Sequence, residues 1–284
     1  MSRIVYVNGE YFPEADAQIS VFDRGFLFAD GIYEVTSVLN GQLIDNQGHL
    51  TRLKRSMNEL DIHAPASDDE IETIQKTLIE KNGLEQGLIY MQVTRGVADR
   101  SFFYPEHKDS SLVLFTQSLN VIDSPYAKKG MSVITIPDIR WGRRDIKTVQ
   151  LLAPSMAKMA AKAAGADDAW LVEDGYITEG SSNNAYIVTQ EGTLVTRHLG
   201  NEILAGITRK AIMRLAAEDN IKIEERLFTA DEAKQAAEAF LSSATTFVTA
   251  IVSIDGETIG DGKPGPIATK LRQFYIDEAL ASVS

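Results

Sequence analysis

Lys147 lies in Asp138-Ile139-Arg140-Trp141-Gly142-Arg143-Arg144-Asp145-Ile146-Lys147-Thr148-Val149, the segment whose residue types point most directly to chemistry. A lysine becomes a useful nucleophile when neighbouring cations or burial favour its free amine. Arg143 and Arg144 are close in sequence, and Ile146 and Val149 are apolar enough to bury the lysine stem. A solvated charge run at a strand end would have the same composition, so both readings stay open here. Glu179 follows in Thr178-Glu179-Gly180-Ser181-Ser182-Asn183-Asn184, either an exposed turn glutamate or a carboxylate set among amides and hydroxyls. Gly206-Ile207-Thr208 opens a predicted helix. Its free N–H groups and the positive end of the dipole would suit an anion, although a plain helix start reads the same. Ser243-Ala244-Thr245, within the hydroxyl-rich run 242–246, offers further donors or a strand-to-helix turn.

Other chemistries are excluded or unsupported. The chain has no cysteine, so it has no disulfide, zinc–thiolate site, iron–sulfur cluster or thiol nucleophile, and this is compatible with a reducing cytosol. His49, His63, His107 and His198 show no metal-ligand spacing, and no metal is expected. No Walker A motif or G-x-G-x-x-G is present. The net charge of −12 argues against nucleic acid, which would require a basic face. The cluster Arg140, Arg143, Arg144, Lys147 is short and local, and it suits a small anionic ligand better than a polymer. Residues 1–11 alternate and carry charge, unlike a signal peptide, and no apolar run approaches the ~20 residues of a membrane span. The expectation is a cytoplasmic protein with no membrane partner.

The elements that must position these residues follow from periodicity. Val5–Val7 and Tyr11-Phe12 flank Asn8-Gly9, and Ile32–Leu39 and Gln42–Ile44 flank Asn40-Gly41; both read as hairpins. Leu50, Leu53, Met57 and Leu60 mark an amphipathic helix carrying Arg52. A second helix starts at Ser67-Asp68-Asp69 and stops at Asn82-Gly83. Strands are predicted at Leu88–Thr94, Leu112–Thr116, Met131–Ile136, Ala169–Val172, Tyr176–Thr178, Asn184–Val188, Thr193–Thr196 and Phe240–Ser243. Helices are predicted from about Val149 to Ala164, Gly206 to Asp219 and Pro266 to Ala281. The polar stretch 121–130, with Asp123-Ser124-Pro125, reads as a linker between a domain of residues 1–120 and one of residues 131–284. Strands and helices mix without strict alternation, which favours α+β.

Taken jointly, Arg140 to Leu152, Glu179 to Asn184 and Gly206-Ile207-Thr208-Arg209 resemble the class IV aminotransferases, fold-type IV pyridoxal 5′-phosphate (PLP) enzymes, of the D-amino acid aminotransferase type. The resemblance covers nearly the whole chain and includes the spacing from Lys147 to Glu179 and on to Gly206. It implies a small N-terminal α/β domain, a larger C-terminal domain with a barrel-like sheet, PLP in the cleft between them, and a homodimer. Lys147 would form the Schiff base with PLP and shuttle the α-proton. Glu179, positioned by Arg140, would face the pyridine nitrogen and keep it protonated, so that the ring accepts electrons. Arg52, Ile207, Thr208, Ala244 and Thr245 would hold the phosphate. Gly31-Ile32-Tyr33-Glu34-Val35 resembles the D-amino acid enzymes, in which the tyrosine lines the substrate pocket. Thr94-Arg95-Gly96 followed by Arg100 fits the same group, where a loop arginine and a histidine two residues on help bind the substrate α-carboxylate. Phe102 stands where that histidine is expected. The function implied is PLP-dependent transamination of D-amino acids with a 2-oxo acid acceptor. An (R)-selective amine transaminase, a branched-chain amino acid aminotransferase and an aminodeoxychorismate lyase are alternatives of the same fold, and a non-enzymatic binding module is a further one.

Overall fold

The computed structural model describes residues 2–106 and 109–281, so His107 lies outside the described residues. The chain divides into two compact units. The first takes the described residues up to Asn120, with Ile146–Gln150 and the described residues from Ala279 onward; the second takes Val121–Asp145 and Leu151–Glu278. Three features depart from a linear division, the return of the described residues from Ala279 onward to the first unit being one. The five residues around Lys147 belong to the first unit, and the segment 121–130 belongs to the second.

In the first unit, β1 (Ile4–Val7) and β2 (Glu10–Pro13) pair across Asn8-Gly9, both at positive φ. A five-residue helix, α1 (Arg24–Phe28), was not anticipated; the Asp23 side chain caps it by accepting from Gly25 N–H. Next come β3 (Gly31–Leu39), β4 (Gln42–Leu43), α2 (Asn46–Glu59), α3 (Asp68–Asn82), β5 (Gln86–Thr94) and β6 (Ser111–Ser118). Ser67 and Glu70 form a reciprocal capping box at the start of α3, and Gly83 closes it in the left-handed conformation. The six strands form an antiparallel sheet in the order β2-β1-β6-β5-β3-β4. Leu50, Leu53 and Met57 of α2 and Ile71 and Leu78 of α3 are buried, as the three- and four-residue spacing requires.

The second unit begins with α4 (Pro125–Lys129), a single turn capped by Ser124, where the sequence suggested only a linker. It continues through β7 (Met131–Pro137), α5 (Leu152–Ala163), β8 (Asp168–Glu173), β9 (Tyr176–Gly180), β10 (Asn184–Val188), β11 (Leu194–Thr196), α6 (Ile207–Glu218), β12 (Ile223–Glu225), α7 (Ala230–Lys234), β13 (Glu238–Ser243), β14 (Phe247–Ile254), β15 (Glu257–Thr258) and α8 (Pro266–Ala281). The main path of the sheet is β12-β11-β10-β13-β14-β7-β8-β9, with β15 on β14, and it curls into a half-barrel. Its pairings are mixed: β7–β8, β7–β14 and β11–β12 are parallel. Trp170, Phe228, Ile187, Leu241 and Ile254 belong to its apolar core. The run 242–246 was open to a strand-to-helix reading; it is instead the turn of the β13–β14 hairpin, with Ser243 opposite Phe247. The β-branched Val248, Thr249, Ile251 and Val252 favour that continuation as a strand. No helix among the described residues is long and apolar enough to cross a membrane.

Candidate active site

In the first unit, residues 146–150 lie alongside the start of β3. Tyr33 N–H donates to the Lys147 carbonyl, and Val149 N–H to the Gly31 carbonyl, each at 3.0 Å. The hydroxyl of the fully buried Ser56, on α2, accepts from Lys147 N–H at 3.4 Å. This pairing places the Lys147 ammonium 4.1 Å from the centre of the Tyr33 ring, a cation–π contact that orients it. It also explains why the helix expected from Val149 starts only at Leu152: the Val149 N–H is committed to the Gly31 carbonyl.

Successive residues of a strand face opposite ways, so Glu34 projects away from Tyr33. Glu34 is fully buried beneath α2 and binds two of its residues. Arg52 donates from Nε to Oε1 at 2.8 Å and from Nη2 to Oε2 at 2.7 Å, and His49 Nδ1 lies 2.8 Å from Oε2. Burial pushes the Glu34 carboxyl up, but Arg52 and His49 outweigh burial and hold it at about 2. Arg52, expected at the phosphate, is therefore fixed in orientation by Glu34. Glu34, His49 and Ser56 were not singled out from the sequence. Polar His49, Arg52 and Ser56, spaced three and four residues apart on one helix face beside the apolar Leu50, Leu53 and Met57, were the available signal.

Arg100 and Phe102 sit on an exposed loop of the first unit. Phe102 is 80% exposed and meets the Phe28 ring edge-on at 5.6 Å, while the Arg100 guanidinium lies 5.7 and 5.6 Å from the Phe28 and Phe102 rings. The loop is tied down from beneath by two buried arginines. Arg24 Nη1 donates to the Ser101 carbonyl at 2.7 Å, and the Arg95 guanidinium stacks on Tyr104 at 3.6 Å. Asp30 Oδ2 accepts from Nε of both, at 2.7 and 2.8 Å.

In the second unit, Asp138, Arg140 and Glu179 form a chain of charges. Arg140 donates to Asp138 from Nε at 3.0 Å and from Nη2 at 2.7 Å, and to Glu179 Oε1 from Nη1 at 2.6 Å. The other Glu179 oxygen accepts from Asn184 Nδ2 at 3.0 Å and from Leu204 N–H at 3.1 Å. Burial raises the Glu179 pKa, and Arg140 pulls it back only in part. Arg143 and Arg144, which the sequence offered as cations beside Lys147, are engaged elsewhere. Arg143 pairs with Asp145 at 2.9 Å, and Arg144 donates to both oxygens of Glu173 at 2.7 Å.

Asn184 also connects Glu179 to the start of α6. A side chain at Gly206 would collide with Asn184 Oδ1, so a larger residue there would have to displace the amide that holds Glu179. Gly206 offers no side-chain cap, and the first turn of α6 carries no acidic residue, so the N–H groups around Ile207 and the buried Thr208 suit an anion. In the β13–β14 turn, Ser243 Oγ accepts from Thr246 N–H at 3.2 Å and lies 3.3 Å from Thr245 Oγ1.

The class IV amino-transferase family model matches residues 31–254. The chain belongs to the class IV aminotransferases. Among curated relatives, the D-alanine aminotransferase of Staphylococcus aureus (strain N315) is 39% identical over 274 residues, covering 95% of this chain and 96% of the relative. That of Bacillus licheniformis is 36% identical over 278 residues, covering 98% and 97%. In fold, the chain is similar to the branched-chain amino acid aminotransferase of Escherichia coli, with a TM-score of 0.90 at 22% identity over 98% of this chain and 95% of that one. The T.th. branched-chain enzyme solved with pyridoxamine 5′-phosphate gives the same TM-score at 24% identity, covering 99% and 95%.

Class IV aminotransferases use PLP, and the residues of this class IV aminotransferase fit such a group. The buried Glu179 carboxylate is incompletely compensated by Arg140, which suits a cationic N–H partner. The uncapped start of α6 and the hydroxyls of the β13–β14 turn are donors without carboxylates, as a phosphate dianion requires. The Lys147 amine stands over an aromatic ring, and no carboxylate pairs with it among the described residues.

Proposed function

We propose that this class IV aminotransferase transaminates D-amino acids with a 2-oxo acid acceptor, using PLP bound by Lys147. The observation that carries the reading is the set of D-alanine aminotransferases 36–39% identical over nearly the whole chain. Bound PLP supplies electron withdrawal from the substrate α-carbon. Lys147 Nζ holds the cofactor and moves the proton at the α-carbon. Glu179 holds the proton on the pyridine nitrogen, oriented by Arg140 and Asn184. Ile207 N–H, Thr208, Ala244 N–H and the Thr245 hydroxyl bind the phosphate, with Arg52 as a charged partner. Tyr33 lines the substrate side beside Lys147.

A donor panel of D- and L-amino acids with pyruvate and 2-oxoglutarate tests the substrate. D-alanine or D-glutamate should react in an acceptor-dependent way; a clear preference for L-leucine or L-valine would overturn the D-amino acid reading. Borohydride reduction and peptide mapping should place the pyridoxyl label on Lys147. A label on another lysine would overturn the site.

Phe102 favours a second reading. Where a histidine would offer a hydrogen bond to a carboxylate, this chain presents a ring packed on Phe28 beneath Arg100. Losing one hydrogen bond to a charged group costs roughly 1.5–3 kcal/mol, about ten- to a hundredfold in affinity. Measurable turnover of (R)-1-phenylethylamine is expected, with Phe102→His shifting the ratio back towards D-amino acids. An unchanged ratio would remove this loop from donor selection.

A homodimer completes the proposal. Phe22, Phe26, Phe102 and Phe103 of the first unit are exposed apolar side chains, and the Ala98 N–H to Phe22 carbonyl bond joins their two segments. Light scattering should give twice the chain mass.

A further inference from the structure

Arg272 lies on α8 and is buried. Its guanidinium donates to four main-chain carbonyls in two separate segments. Nη1 reaches the Thr246 and Val248 carbonyls at 2.7 Å, and Nη2 the Val121 and Ile122 carbonyls at 2.8 Å. Burying a cation on neutral carbonyls is costly, and burial lowers the pKa of this guanidinium, with Asp123 acting against the shift. Only a planar, multi-donor group can bridge two segments in this way.

The two carbonyls bound by Nη1 flank Phe247, a non-glycine residue at φ 55. A bulky side chain in the left-handed region is strained and persists only where its surroundings over-determine it. Here the surroundings are Arg272, above the Phe247 ring at 5.9 Å, and Tyr275, edge-on to it at 5.0 Å. A trans peptide points its N–H opposite to its C=O, so drawing the Thr246 carbonyl onto Arg272 fixes the plane of the Thr246–Phe247 peptide at the end of the turn. The start of α8 is anchored on the same hairpin: Glu238, at the head of β13, accepts from the Ile267 and Ala268 N–H groups at 2.9 Å.

We propose that Arg272 is a positioning residue for the cofactor phosphate: by gripping the carbonyls on either side of Phe247, it holds the 243–247 turn in the form that presents the Ala244 N–H and Thr245 hydroxyl to that phosphate. The proposal rests on the reading that this turn binds the PLP phosphate. Arg272 touches neither substrate nor cofactor and acts through the turn.

The test compares PLP with pyridoxal, which shares the aldehyde that Lys147 bonds to but lacks the phosphate. Apo-protein is titrated with each, for the wild type, Arg272→Lys, Arg272→Met and Thr245→Val, with circular dichroism to check the fold. Lysine keeps the charge but cannot span both pairs of carbonyls, so Arg272→Lys carries the test if the methionine variant fails to fold. Arg272→Lys should weaken PLP binding by about tenfold or more, the loss of one charge-assisted hydrogen bond to the phosphate, and leave pyridoxal nearly unchanged. A purely structural role would weaken both ligands equally, and that result, or an unchanged ratio, overturns the proposal. Thr245→Val separates the two claims. If it lowers the PLP-to-pyridoxal ratio while Arg272→Lys does not, the phosphate reading stands and the role of Arg272 falls. If neither variant changes the ratio, both fall.

Discussion

Glu34 and Glu179 are both buried carboxylates met by an arginine, and their surroundings push them in opposite directions. At Glu34, Arg52 and His49 overcome burial and hold the carboxyl at about 2, below its ordinary 4.5. An acid whose folded pKa is depressed adds stability that is fully present above the unfolded pKa and is lost as pH falls through the folded one. Glu34 therefore contributes on the order of 3 kcal/mol above about pH 4.5, lost progressively down to about pH 2. Glu34→Gln should unfold more easily at neutral pH in urea, because Arg52 keeps its charge without its carboxylate, and the difference from wild type should shrink across that acid window. At Glu179 the folded pKa is raised, so the sign reverses: the apo-protein loses stability as pH rises above the unfolded carboxyl pKa. Glu179→Gln should leave the apo-protein at least as stable as wild type at pH 7, since Arg140 keeps Asp138, while transamination slows by orders of magnitude. A destabilised apo-variant with normal turnover would contradict both parts.

At the scale of elements, α1 is five residues long yet closes the segment that carries Arg24 and Asp30. Asp30 is the carboxylate shared by two buried arginines. Asp30→Asn should cost about 3–5 kcal/mol in urea unfolding, because Arg24 and Arg95 would stay buried without a carboxylate. The helix ends at Ala29, which has φ 53. Left-handed backbone is unfavourable for alanine, and glycine relieves it while adding freedom to the unfolded chain. Ala29→Gly should raise stability by about 0.5–1 kcal/mol, read as a higher urea midpoint with an unchanged slope. A lower midpoint would mean that the alanine methyl contributes packing that outweighs the strain.

The whole molecule carries 40 acidic and 28 basic side chains, a net charge of −12. Self-repulsion at this charge opposes the compact state and is screened by salt. The thermal midpoint should rise from about 0.01 to 1 M KCl, as the Debye length falls from about 30 to 3 Å. A falling midpoint would mean that surface pairs such as Arg214–Glu278 and Arg226–Glu232 outweigh the repulsion.

The sequence by itself determined what depends on neighbours in the chain. Asn-Gly turns, the Ser67–Glu70 box and the spacing of Leu50, Leu53 and Met57 act over a few residues, so both hairpins and α2 and α3 were legible. The three motifs around Lys147, Glu179 and Gly206 gave the family for the same reason. Tertiary structure decided what depends on distant partners. Val149 stays outside α5 because its N–H is bonded to the Gly31 carbonyl, Arg52 is oriented by Glu34, and Arg143 and Arg144 are matched by Asp145 and Glu173. Asn184 joins Glu179 to the start of α6, and Arg272 reaches carbonyls about 25 and 150 residues away along the chain. A backbone carbonyl leaves no trace in residue type. A sequence cannot show which carbonyl a buried arginine will hold; the fold chooses it by bringing distant stretches of chain within hydrogen-bonding distance.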